Sequence, residues 1–145
     1  MLNRIDRQLY RLAIESDGVA NGRVRMAAAV IYKKNVIAFG VNQMKTHPLM
    51  CEQEGYREGQ IYLHAEADAI RNSLRLIDHD QLKQCSLRVI RLKRPGIGSQ
   101  HWTPGLAKPC PGCRQLIDRV GITDVSWTED DESVIYSHNS LVLTQ

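Results

Sequence analysis

The chain has 145 residues, is 43% hydrophobic and 24% charged, and carries a formal charge of +3 at pH 7. That length suits one domain with one continuous core, and the composition excludes a disordered polymer. No apolar run approaches the roughly 20 residues that a membrane-spanning helix needs, and so small a net charge does not by itself call for nucleic acid.

The opening stretch, Met1 to Arg7, is charged from the start and lacks the apolar centre of a signal peptide, so a cytoplasmic location is expected. Residues 2–16 place Leu2, Ile5, Leu9 and Leu12 at steps of three and four, which predicts a helix stopped by Asp17-Gly18. Residues 24–32 (VRMAAAVIY) and 36–41 (VIAFGV) are apolar runs joined by Lys33-Lys34-Asn35, which predicts a β-hairpin. Both runs are apolar on both faces, so helices should cover the sheet on both sides. Residues 42–62, with Pro48, Gly55 and Gly59, form a polar connection long enough to suggest a lid.

Helical spacing returns over 64–77, with Ala67, Ile70, Leu74 and Ile77 on one face. Residues 86–92 (SLRVIRL) read as a strand, and 93–109 as a second long loop rich in proline and glycine. A helix is expected over about 110–120, a strand over 122–127, a turn at 129–132 and a last strand over 133–136. The β-α-β-α-β portion implies parallel strands with right-handed crossovers. The expected class is α/β, a three-layer α/β/α sandwich around a central mixed five-stranded sheet, with residues 1–145 as one domain.

Two short motifs stand out. Pro109-Cys110-Pro111-Gly112-Cys113 puts two cysteines three apart at the start of a helix. They share a face of the first turn, Pro111 suits that turn, and the helix dipole favours their thiolates. Two such thiolates are good zinc ligands. A lone pair of this kind also fits half of a structural zinc site or a redox couple, but no thioredoxin-like order of elements surrounds it.

The second motif, His64-Ala65-Glu66, opens the other central helix. Residues two apart differ by about 200° around a helix, so both can address one metal only if it lies beyond the helix end. The site would then have three protein ligands, an open fourth position and a carboxylate beside it, the layout of a catalytic zinc. Four cysteines in a cytoplasmic chain fit this better than disulfides do, with Cys51 and Cys85 as buried thiols.

Together, in this order, the motifs resemble those of the cytidine and deoxycytidylate deaminase superfamily of zinc nucleobase deaminases. The resemblance runs from the first hairpin through Trp127. The stretches Gly40 to Pro48 and Gly105 to Cys110 look most like small deaminases of bacteriophages. It implies a cytidine deaminase-like fold, a zinc cofactor on His64, Cys110 and Cys113, and Glu66 as the catalytic proton shuttle in hydrolysis at C4 of cytosine. It also implies substrate contacts from Asn42 to the sugar, from the Ala65 N–H to the ring carbonyl, and from the Lys108-Pro109 segment. Lys108 departs from relatives that carry small or acidic side chains there, although its carbonyl can still accept the amine.

The expected substrate is a free pyrimidine nucleoside or nucleoside monophosphate, and the resemblance also implies a homo-oligomer. The alternatives are a deaminase acting on cytosine or adenine in a single strand or tRNA, and a zinc-stabilised binding module without turnover. Lys45, Lys93, Arg94, Lys108 and Arg114 are candidate phosphate contacts. Trp102 either stacks on a base or covers the core edge. His47, Cys51, Cys85 and His101 have spacings that match no compact second zinc motif.

Overall fold

The computed structural model describes residues 3–16, 24–46, 62–96, 98–130, 134–136 and 141–143, without the side chains of 43–46, 62–63, 134–136 and 141–143. Leu2, the Asp17-Gly18 stop, His47, Cys51, the side chain of Lys45 and most of the expected lid lie outside that set.

Helix α1 (Arg4–Glu15) begins where the Asn3 side chain accepts a hydrogen bond from Asp6 N at 2.8 Å. Its buried face is Asp6, Leu9, Tyr10, Ala13 and Ile14, with Ile5 and Leu12 at the margins. The stripe is thus rotated from the expected one. The reason is Asp6, whose carboxylate takes two hydrogen bonds from the Arg88 guanidinium at 3.0 and 3.1 Å inside the same interface.

Strands β1 (Val24–Tyr32) and β2 (Asn35–Val41) form the expected antiparallel hairpin, with Tyr32 facing Asn35 across a two-residue turn. Lys33 and Lys34 both adopt positive φ, 49° and 70°, which the strand twist demands and glycine or asparagine supplies more cheaply. Lys33→Asn combined with Lys34→Gly is therefore expected to stabilise the protein by about 1 kcal/mol, read as a higher urea midpoint.

Burial explains the apolar run from Met26 to Tyr32 in β1. Ala27 and Ala29 face α1, while Ala28 and Val30 face helices α2 (Ala65–Ser73) and α4 (Pro111–Val120). The same alternation divides strand β5 (Ser86–Lys93): Ile90 and Leu92 join the α1 layer, and Leu87 and Val89 the other. This is the expected three-layer α/β/α sandwich. Helix α2 stops at Ser73, and Leu74 and Ile77 pack on the core from the turns after it. A one-turn helix α3 (His79–Leu82) follows, held by a reciprocal cap between Asp78 and Gln81.

The central sheet is mixed and five-stranded, as expected, but two details differ. Strand β1 lies between β2 and β5 and is antiparallel to both, so the crossover through α2 links strands that run the same way without touching. Only the crossover through α4 joins parallel neighbours, β5 and β7 (Asp124–Trp127). The fifth strand is β6 (Thr103–Gly105), inside the stretch read as a loop. Pro104 cannot donate to a ladder, so such a strand is confined to an edge and its composition disguises it.

The expected last strand exists as β8 (Val134–Tyr136) but pairs with β9 (Leu141–Leu143) in a separate ribbon. A further ribbon, β3 (Gln43–Thr46) with β4 (Tyr62–Leu63), closes the two ends of the 42–62 connection. Among the described residues no helix is long and apolar enough to cross a membrane.

Candidate metal centre

Two helix N-termini converge beside the sheet. Helix α2 starts directly after β4, with His64 as its extended N-cap residue, and α4 starts with Cys110 in the same role and Pro111 in its first turn. Neither cap side chain bonds its own helix, because both turn toward the space between the helix ends. Cys113 lies one turn into α4 and is fully buried. The donor atoms of His64, Cys110 and Cys113 all lie within 4.8 Å of one another.

The distances suit one ion. His64 Nδ1 is 3.6 Å from Cys110 Sγ and 3.3 Å from Cys113 Sγ. Nitrogen and sulfur bound tetrahedrally to one zinc would stand about 3.6 Å apart. Two thiols and an imidazole are also a donor set that favours zinc over magnesium or calcium. The group fits zinc.

Glu66 completes the centre. It is 2% exposed, and its Oε1 is buried without a hydrogen-bond partner among the described residues. Burial raises its pKa above the ordinary carboxylate value, against the lowering effect of its own backbone amide, of His64 and of the Cys113 thiol. Burial alone would lower the His64 pKa, but a hydrogen bond from its ring N–H to the Cys110 sulfur and the charges of Glu66 and Cys110 leave it raised. One carboxylate and two thiols gathered around one imidazole suit a cation.

Hydrogen bonds that join Asn42, just after β2, to the start of α2, and two side chains of α2 to the β2 backbone, hold the helix in place. Asn42 Oδ1 accepts the Ala65 N–H at 2.8 Å and so caps the helix whose N-cap residue faces the site. Asp68 Oδ2 accepts the Val41 N–H at 3.0 Å, and its other oxygen pairs with Arg71. Asn72 Nδ2 donates to Phe39 O at 2.9 Å. At Gly40 the helix lies directly on the strand: a Cβ there would overlap the Ala69 nitrogen and the Ala65 carbonyl. Asp68, Asn72 and Gly40 were not picked out from sequence. A visible signal was the pair of polar residues at 68 and 72, one turn apart on a helix whose Ala65, Ala67, Ala69 and Ile70 are apolar and buried.

The structure thus brings His64, Glu66, Cys110 and Cys113 together and bonds Asn42 to Ala65. Pro109 is buried beside Cys110, and Lys108 is exposed and makes no ion pair among the described residues. Of the other candidate cations, those with described side chains are engaged elsewhere. Lys93 pairs with Asp130 at 2.9 Å, Arg114 with Asp118 at 3.4 Å, and the Arg94 guanidinium lies 4.3 Å from the centre of the Trp102 ring. Trp102 itself is 1% exposed in the α1 layer, a core residue rather than a stacking platform. Cys85 is buried and donates to Gln81 O at 3.4 Å, and burial raises its thiol pKa. It joins no metal-ligating group among the described residues.

Comparison with known proteins agrees with this centre. The model of the cytidine and deoxycytidylate deaminase zinc-binding region matches residues 3–129. Among curated proteins none matches. A dCMP deaminase of the cyanophage S-TIM5 in apo form is 19% identical over 74% of this chain and 68% of its own, with a TM-score of 0.45. The same enzyme in complex with dCMP and dUMP is 18% identical over 88% and 83%, with a TM-score of 0.48.

Proposed function

This chain belongs to the cytidine and deoxycytidylate deaminase family, and we propose that it hydrolyses the exocyclic amine of cytosine in a free nucleoside or nucleoside monophosphate. The observation that carries this is the pairing of a zinc-fitting triangle, His64, Cys110 and Cys113, with the buried and unsatisfied oxygen of Glu66. Zinc, when bound there, supplies Lewis acidity that lowers the pKa of water toward neutrality.

In this reading Glu66 accepts a proton from the attacking water, passes it to N3 of the ring, and helps protonate the departing amine. Cytosine and water become uracil and ammonia. A buried carboxylate with a raised pKa suits a group that must both take and return a proton near neutral pH. Asn42 keeps its Oδ1 on Ala65 and presents its Nδ2 as a donor to the sugar. The Ala65 N–H can reach the ring carbonyl by sharing its hydrogen between that oxygen and Asn42. Lys108 and Pro109 line the approach beside Cys110, with the Lys108 carbonyl facing the amine and its side chain able to meet a phosphate.

A small substrate is favoured over a strand. Strand binders need stacking aromatics along a basic groove, whereas Trp102 is in the core and Lys93 and Arg114 are paired with carboxylates. On the resemblance alone, the same reading makes the protein a single-domain cytoplasmic homo-oligomer. The test is a substrate panel on zinc-loaded protein: cytidine, deoxycytidine, their monophosphates and a short cytosine-containing single strand, with ammonia release as readout. One zinc per chain and turnover of a free nucleoside or nucleotide are expected. A far higher kcat/KM on the strand establishes the strand deaminase instead, and zinc without turnover establishes a binding module.

A further inference from the structure

We propose that Thr128 is a positioning residue for the metal centre, holding the segment that delivers Cys110; this rests on reading His64, Cys110 and Cys113 as the zinc site. Thr128 follows β7 where the edge of β5 changes partner from β7 to β6. It is 7% exposed, and every hydrogen-bonding group it owns is used at that junction. Its N–H donates to Val89 O at 3.1 Å, and its carbonyl accepts from Ala107 N at 2.9 Å. Its hydroxyl accepts from Arg91 N at 3.1 Å and donates to Gly105 O at 2.7 Å.

The neighbours of Thr128 extend the clamp. Asp130 Oδ1 accepts from Leu106 N at 3.2 Å and from Lys93 Nζ at 2.9 Å. Arg91 Nη1 reaches Leu106 O at 3.4 Å. Gly105, Leu106 and Ala107 are therefore all pinned through their backbones, although the Leu106 side chain is exposed. Between Ala107 and Cys110 stand only Lys108 and Pro109. The proline ring fixes its own φ and holds Lys108 extended, so a shift at Ala107 passes to the Cys110 sulfur instead of being absorbed. Cys113 is fully buried one turn into α4, and His64 sits at the capped start of α2. Cys110 is the half-buried N-cap residue of α4, its carbonyl accepting from Arg114 N at 2.8 Å, and is the ligand that the clamped segment leads into directly.

The experiment loads wild type, Thr128→Val, Thr128→Ser and Asp6→Ala with zinc, then follows zinc transfer to a chelating indicator alongside thermal melting. Asp6→Ala is the structural control, because Asp6 holds Arg88 in the α1 layer and touches no part of the clamp. Thr128→Val is expected to lose zinc on the order of tenfold faster than wild type, with Thr128→Ser close to wild type. Asp6→Ala should melt lower yet keep wild-type zinc kinetics. Zinc retention in Thr128→Val equal to that of Asp6→Ala, or failure of Thr128→Ser to rescue it, overturns the proposal. If Thr128→Val does not fold, the exposed Asp130→Ala replaces it: a smaller acceleration supports the clamp, and no change overturns it. A wild type that binds no zinc overturns both this and the functional reading. A wild type that binds zinc and deaminates nothing overturns the latter alone.

Discussion

Glu66→Gln is expected to lower turnover by about ten-thousandfold while leaving zinc content and fold intact. The upper end of the usual range for general acid–base catalysis applies because one carboxylate is asked to serve every proton transfer. The amide keeps the size of the side chain but can neither accept nor return the proton. Initial rates, elemental analysis and a melting curve on the same preparation check all parts of the expectation, and near-normal turnover refutes the shuttle.

The metal-free protein adds a sign. Burial raises the Glu66 pKa in the folded state above its reference value of 4.5. A raised group favours folding fully below its unfolded pKa, and that contribution is lost as pH rises through the folded value. At neutral pH the metal-free Glu66→Gln protein should therefore be more stable than metal-free wild type, and the gap should close below about pH 4.5. Urea midpoints at the two pH values measure it.

Gly40→Ala is expected to cost about 3 kcal/mol or more, the severe end of overpacking. The added methyl would meet backbone rather than a flexible side chain, with Ala69 Cα only 2.8 Å away. Helix α2 must lift from β2, and His64 and Glu66 lift with it. A melting temperature lower by roughly 10 °C and a weakened grip on zinc should appear together. Gly96→Ala is the control, since a Cβ there meets nothing within 4 Å. A Gly40→Ala protein as stable as Gly96→Ala refutes the close approach.

The metal-ligating residues were legible in sequence because their chemistry is local. Cys110 and Cys113 share a helical turn by spacing alone, and His64 and Glu66 can address one point only from a helix end. The layers were legible because β1 is apolar at every position that two helical layers cover. What escaped was non-local or disguised. Nothing in the local pattern says that β1 inserts between β2 and β5. Pro104 concealed an edge strand, and the ribbon at the ends of 42–62 pairs the mostly polar Gln43–Thr46 with a strand of only two residues, Tyr62–Leu63. Thr128 looked like the residue after a strand; its role comes from partners 21 to 39 positions away. The stacking role considered for Trp102 gave way to burial, which its apolar area rewards more.

The bonds from Asn72 and Asp68 to Phe39 and Val41 bear on more than chemistry. Strand β2 ends the sheet order, and an uncovered terminal strand is a template onto which another chain can add. Helix α2 occupies that template with two of its own side chains. The geometry of the metal centre and colloidal behaviour are therefore tied to one helix. Whatever detaches α2, whether metal loss at its start or a bulkier residue beneath it, dismantles the centre and bares a strand for ladder growth. Zinc-starved protein should accordingly fail by clumping, not by quiet inactivity.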